Sequence, residues 1–286
     1  MGVLRPIRML GNYLLGDDDQ HIPPLPEGLP EDLGHIVGAH VTMLVEFQNT
    51  DYALLYLDRL GRFFNRFDVP QALFGEIADL LAQRMALNDP PRIAQLVLGR
   101  ARHAPPPIFP DDRYRPEMQE IVAMFPNDQA RIIANALTRL RLLRGRMRIR
   151  VTKPRGRRTL WVFALFRRIR PMSLRMRRES AAVERWLHMI DRALSRQPEA
   201  VTEVVRSAAL ITGHGAGYRL ALANWHFLIN SLAKPVFDGE VAMPHLSQVL
   251  RRAQETLMQD PSGELFRKHL AELRAGRSEP AASSAR

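Results

Sequence analysis

The chain has 286 residues, 46% of them hydrophobic, and a formal net charge of +11 from 41 Lys and Arg against 30 Asp and Glu. That is enough apolar material for a real core, and it excludes disorder throughout. Cysteine is absent, which excludes disulfides, thiolate zinc sites, cysteine-ligated iron–sulfur clusters and cysteine nucleophiles from this chain; any such chemistry belongs to a partner.

Residues 1–34 read as an N-terminal arm and a Pro/Gly-rich tether. The first ten residues carry no sustained apolar core and no small-residue cleavage site, so no secretory signal is expected and a cytoplasmic location follows. Val3, Leu4, Ile7, Leu10, Leu14 and Leu15 approximate one helical face. The acidic, proline-rich run 17–34 has no hydrophobic period and reads as an extended tether.

From His35 to residue 275 the pattern is helical, with apolar residues three and four apart, as in Leu54, Leu57, Leu60, Phe64 and Leu73, Ile77, Leu80, Leu81. Breaks are expected at Asp68–Pro70, Asn88–Pro91, the proline loop 104–116, and Pro126–Asp128, where Asn127 or Asp128 is placed to cap the next helix. Two halves are expected to meet near 105–116. Further helices are read around 128–144, 173–197, 199–212, 216–232, 244–258 and 262–275, followed by a disordered tail, 276–286. One stretch departs from helix. Met147, Ile149 and Val151 alternate with Arg148, Arg150 and Thr152 before a Lys153-Pro-Arg-Gly156 turn and Thr159–Phe163, which is the pattern of a short β-hairpin near 146–164. The expected fold class is therefore mainly α, a multi-helix bundle in two halves with one small hairpin. The apolar run Leu160–Phe166 is far short of the roughly 20 residues that cross a bilayer.

Charge is segregated. The window Arg131–Arg178 holds seventeen Arg or Lys and no Asp or Glu; the remaining 24 cations and 30 acids leave the rest of the chain at −6. Like charges at helical spacing repel unless anions or carboxylates offset them, so an acidic partner is implied. A partner's acidic protein surface, together with pairing to Glu179, Glu184, Glu199 and Glu203 of the same chain, is the favoured reading. Nucleic acid or a membrane surface ranks behind it. Trp161, Phe163 and Phe166 lie among the cations, but in a run that suits a core, and no helix-turn-helix, zinc or RNA-binding signature accompanies them.

No catalytic constellation stands out. The nine histidines are scattered without the spacing of a helical zinc site, and the acidic pairs Asp111-Asp112 and Asp17–Asp19 fall in proline-rich loops. Gly213-His-Gly-Ala-Gly-Tyr218 lacks the preceding strand and the Lys-Ser/Thr of a phosphate loop and reads as a helix C-cap with a tight turn. Arg219 and Asn224 follow it on the next helix and are expected to be held inward, tying this turn to the body.

Three segments together carry a resemblance. Asp51–Leu60 (DYALLYLDRL), Arg84–Ala94 (RMALNDPPRIA), and Glu179–Leu187 (ESAAVERWL) followed by Gly213-His-Gly215 and Arg219–Asn224 resemble, in order and spacing, motifs of the C-terminal domain of unknown function in proteobacterial indolepyruvate oxidoreductase beta subunits. The resemblance spans about residues 38–232. Departures are Thr212 in place of the family's lysine, His214 in place of its tyrosine, Tyr218, and Pro90-Pro91. It implies an accessory domain without the gamma-type catalytic domain, serving a complex that decarboxylates 2-oxoacids. Thiamine diphosphate and iron–sulfur clusters would then lie on partner subunits, with no cofactor, metal or catalytic residue on this chain. The matching residues, Asp58, Arg59, Arg92, Glu184, Trp186, Gly213, Gly215, Arg219 and Asn224, are candidates for structural ion pairs or an inter-subunit face, a buried and paired Asp58 or Arg92 being the plainest case. The alternative is a stand-alone basic helical protein that binds nucleic acid or an anionic ligand.

Overall fold

The computed structural model describes residues 21–100, 109 and 111–278. The expected arm, the start of the tether, part of the proline loop and the end of the tail lie outside the described residues. The fold is mainly α, with one two-stranded antiparallel sheet among the described residues. None of the described helices is long and apolar enough to cross a membrane.

The chain divides into two compact units, residues 1–185 and 186–286. The boundary falls inside a long helix and not at the 105–116 loop where two halves were expected to meet. The reason is that segments on both sides of that loop share one core, as the following contacts show.

In the first unit, α1 (Glu31–Phe47), α2 (Thr50–Gly61) and α3 (Gln71–Met85) pack on one another. Their apolar stripes bury Val37, Val41 and Leu44, Ala53 and Tyr56, and Ile77 and Leu81. α1 starts four residues before His35, inside the expected tether. Asn49 caps α2 by accepting the Tyr52 N–H at 3.1 Å. α4 (Pro90–Val97) begins where the Asn88–Pro91 break predicts. Asp89 Oδ1 accepts the Arg92 N–H at 2.9 Å, and Pro90 occupies a first-turn position whose missing N–H costs nothing.

Strand β1 (Arg113–Tyr114) pairs with β2 (Ile149–Arg150) in the register Arg113↔Arg150 and Tyr114↔Ile149. Between them lie α5 (Met118–Ala123) and α6 (Asn127–Arg139). Pro126 is the N-cap of α6 and no side chain caps it, so neither Asn127 nor Asp128 plays that part. The expected hairpin does not form. Its first arm pairs with a strand from before α5, and its second arm is the helix α7 (Pro154–Leu165). Pro154 sets the helical φ at the first turn instead of closing a turn, and Leu160, Phe163 and Ala164 fall on one helical face that packs on Ile93 and Ala94 of α4 beside Tyr114 and Ile149.

The second unit holds the C-terminal part of α8 (Leu174–Arg196), α9 (Val201–Arg206), α10 (Gly215–Leu228), α11 (Lys234–Phe237), α12 (Leu246–Gln259) and α13 (Glu264–Ser278). The single helix expected over 199–212 is a short α9 between two 3-10 turns, and α13 runs on into the segment expected to be a disordered tail. Trp186 and Trp225 anchor this core. The Trp186 indole donates to the carbonyls of Val204 and Val205 at 3.2 Å, and the Trp225 indole donates to Ser207 Oγ at 3.0 Å. Both bulky rings are thus buried with their polar edge satisfied.

Candidate functional site

Two motif arginines of the first unit, Arg59 and Arg92, are buried and held in ion pairs. Arg59, on the inward face of α2, donates from Nε to Glu184 Oε1 at 2.8 Å, and Arg62 one turn on donates to Glu184 Oε2 at 3.1 Å. Two of the expected site residues, far apart in sequence, therefore meet. Arg92 is buried and donates to Glu46 Oε1 at 3.1 Å. Asp58 is exposed on the opposite side of α2, with no ion pair among the described residues, so the buried, paired Asp58 is not found. Helical geometry gives the reason: with Tyr56, Arg59 and Leu60 inward, position 58 points to solvent.

The deepest of these pairs includes a residue that the sequence did not single out. Arg170 grips Asp89 with Nε to Oδ2 at 2.8 Å and Nη2 to Oδ1 at 3.1 Å. Its Nη1 donates to the Phe47 carbonyl at 2.5 Å and to Gln48 Oε1 at 3.2 Å, and its guanidinium sits 4.0 Å from the Phe47 ring centre. Glu179 of α8 joins Arg84 at 3.0 Å and Arg175 at 3.1 Å. Burial drives the Tyr52 phenol well above its ordinary range, with Arg59 and Arg170 opposing; its hydroxyl donates to the Met85 carbonyl at 3.0 Å. This network ties α1, α2, α3, α4 and α8 together, although Arg59 Nη1 is buried within it without a hydrogen-bond partner among the described residues. Of these residues, Glu179 was expected to pair with the cationic window, and Asp89 carried a signal as the residue before Pro-Pro at a helix start. Nothing local separates Arg170 from its cationic neighbours.

In the second unit, Asn224 is buried; it donates to the Pro261 carbonyl at 2.9 Å and accepts from Arg267 at 3.0 Å. Arg219 is exposed, so the expectation that both are held inward is met by Asn224 alone. The spacing of five residues on a helix explains it, since the two side chains diverge. Gly213 has φ +87° and Gly215 φ +60°, so both take left-handed backbone where the connector after Ile211, the C-cap of the 3-10 turn, leads into α10.

The cationic window divides into two parts. Arg170 and Arg175 are folded in and paired with Asp89 and Glu179, and Arg167 donates to the Gln48 carbonyl at 2.5 Å. Of the four acids expected to take this window's charge, Glu179 does so; Glu184 pairs with Arg59 and Arg62, Glu203 with Arg251, and Glu199 is exposed.

From Arg131 to Arg158 the cations are exposed. α6 is amphipathic, yet only Ala130 of it is buried. Ile132 and Leu140 are 67% and 66% exposed, and Leu142 beyond the helix 52%, interleaved with exposed Arg131, Arg139, Arg141 and Arg144. A separate concavity of about 850 Å³ lies between β2 and the start of α7 and is bordered by Arg113, Arg148, Arg150, Lys153, Arg155 and Arg158. No acidic residue lines it, and none of these six side chains has an ion pair or hydrogen bond among the described residues. No group of His, Asp and Glu among the described residues is arranged to hold a metal ion.

With that arrangement of buried pairs and exposed cations in place, the chain belongs to a family of unknown function, DUF6537, whose model matches residues 33–231. The match covers all the motif residues named above. No curated protein and no solved structure matches the chain.

Proposed function

We propose that this chain is a non-catalytic accessory subunit of an indolepyruvate-type 2-oxoacid oxidoreductase complex in the cytoplasm, acting through protein–protein contacts. In this reading, thiamine diphosphate and iron–sulfur clusters sit on the partner subunits, and the polar motif residues of this chain keep its own core in register. The motif resemblance supports the choice of complex. The observation that carries the mode of action is α6 with its C-cap, where the apolar residues Ile132 and Leu140 stand in water beside unpaired arginines. Exposed apolar side chains rimmed by charge mark protein contact surfaces, and the cations would steer an acidic patch of the partner onto this face.

The test is co-purification of the tagged full chain with separately produced thiamine-dependent and gamma-type subunits. Association is expected to weaken as salt rises to about 0.5 M. The double variant Ile132→Ser/Leu140→Ser is expected to lose about tenfold or more in affinity while keeping its melting temperature, because truncating buried apolar anchors costs upward of about 1 kcal/mol each at an interface. Absence of any complex, or a complex indifferent to both the variant and salt, overturns the reading.

A further inference from the structure

The concavity between β2 and α7 stands apart from the α6 surface in its shape and lining. Six cations line one concavity of about 850 Å³, together with Met147 and Ile149 and with no carboxylate among its lining. Elsewhere in this unit, arginines that face the protein find an acid or a carbonyl: Arg59, Arg84, Arg92 and Arg170 all do. Gathering six unpartnered cations into one hollow carries mutual repulsion that a bound polyanion would relieve. A volume of this size falls in the range of small-molecule sites, about 300–1,000 Å³.

We propose that this basin binds a small, multiply phosphorylated molecule, with the guanidinium groups of Arg148, Arg150, Arg155 and Arg158 taking phosphate oxygens in forked pairs. The lining decides against a nucleic acid. Single strands are held by aromatic side chains on which bases stack, and no aromatic residue lines this hollow; Trp161 of α7, although 46% exposed, is not part of it. Six cations line this one concavity, so a compact anion of four or more charges can be met by several of them at once. This assignment does not rest on the accessory-subunit reading and survives its failure.

The probe is inorganic tripolyphosphate, titrated into the full chain by calorimetry at about 0.15 M salt, where surface charges beyond about 8 Å are screened. The expected result is saturable one-site binding, with orthophosphate and sulfate much weaker. Each of Arg148→Gln and Arg155→Gln should weaken it by about tenfold, the loss of one forked charge pair, with an unchanged circular dichroism spectrum. Arg131→Gln and Arg139→Gln on α6 remove the same net charge outside the basin and should leave affinity within about twofold. Binding that does not saturate, or that falls equally for basin and α6 variants, is plain charge attraction and overturns the site. Tighter binding of a single-stranded oligonucleotide than of tripolyphosphate, weakened by the same basin variants, overturns the small-molecule class in favour of nucleic acid.

Discussion

Arg170 keeps 1% of its surface exposed while making four hydrogen bonds and covering the Phe47 ring. A buried charge of this kind stabilises the fold only as long as its partner is present, because the desolvation cost of each ion is several kcal/mol. Arg170→Met is therefore expected to lower stability by about 3–5 kcal/mol by stranding the Asp89 carboxylate. Adding Asp89→Asn should recover part of that loss, since asparagine still accepts the Arg92 N–H as an N-cap but carries no charge. Urea denaturation of the two variants checks this; equal stabilities would show that the stranded charge is not the cause. His40 offers a second test at this scale. Burial lowers its pKa from 6.5, against the opposing pull of Asp79, while its ring contacts the Tyr56 hydroxyl at 3.2 Å. The unfolded chain then takes up the proton first, so His40 contributes a stability that is whole above pH 6.5 and declines as pH falls below it toward the lowered folded value. Comparing urea midpoints at about pH 7.5 and about pH 5.5, His40→Gln should show a smaller acid loss than the parent chain; identical losses would remove His40 from the account.

Among the elements, α7 shows where local patterning succeeds and where it fails. Helices α1 to α3 and α8 follow from apolar residues three and four apart, because each lays one stripe on a neighbour and the stripe is written in consecutive residues. The alternation Met147 to Thr152 marks a true strand at Ile149–Arg150, but its partner is Arg113–Tyr114, and no local rule reveals a pairing across two intervening helices. Lys153-Pro-Arg-Gly156 reads as a turn or as a helix start with equal grammar; burial of Leu160 and Phe163 against α4 decides for the helix. The glycine in that sequence has a packing reason. A Cβ at Gly156 would sit 1.8 Å from the Arg150 carbonyl oxygen, so α7 approaches β2 only because that atom is missing. Alanine normally stabilises a helix by about 0.5–1 kcal/mol over glycine. Here the clash is with backbone that cannot swing aside, and overpacking of about 1–3 kcal/mol wins. Gly156→Ala should therefore lower the melting temperature. Gly217→Ala in α10, where nothing lies within 4 Å of the added carbon, should raise or preserve it. Opposite signs in thermal melts confirm the contact, and a stabilised Gly156→Ala would refute it.

Across the whole molecule, charge was the property most legible in the sequence and least complete as a guide. The excess over 131–178 is visible by counting, yet counting cannot tell that Arg167, Arg170 and Arg175 turn inward while the run from Arg131 to Arg158 stays in water; that distinction is made by acids and carbonyls brought from α1, α4 and α8. The same holds for Arg59 and Glu184, which are two motif residues in sequence and one ion pair in space. The division has a measurable thermodynamic consequence. Buried pairs are shielded from ions, whereas exposed like charges are screened once the Debye length falls from about 10 Å at 0.1 M to about 3 Å at 1 M. Were surface pairs such as Arg66 with Asp68 dominant, sodium chloride would lower the melting temperature. With some ten exposed cations between Arg131 and Arg158 and, Arg146 with Glu117 aside, no salt bridge on them among the described residues, self-repulsion outweighs those pairs, since an exposed pair contributes only about 0–1 kcal/mol. The melting temperature is therefore expected to rise with sodium chloride from about 0.05 M to about 0.5 M. Arg144→Gln/Arg157→Gln, which removes two exposed cations, should melt higher than the parent at low salt and converge with it at high salt. A melting temperature that falls with salt, or a variant whose advantage persists unchanged at about 0.5 M, would mean that repulsion among these arginines does not limit the fold.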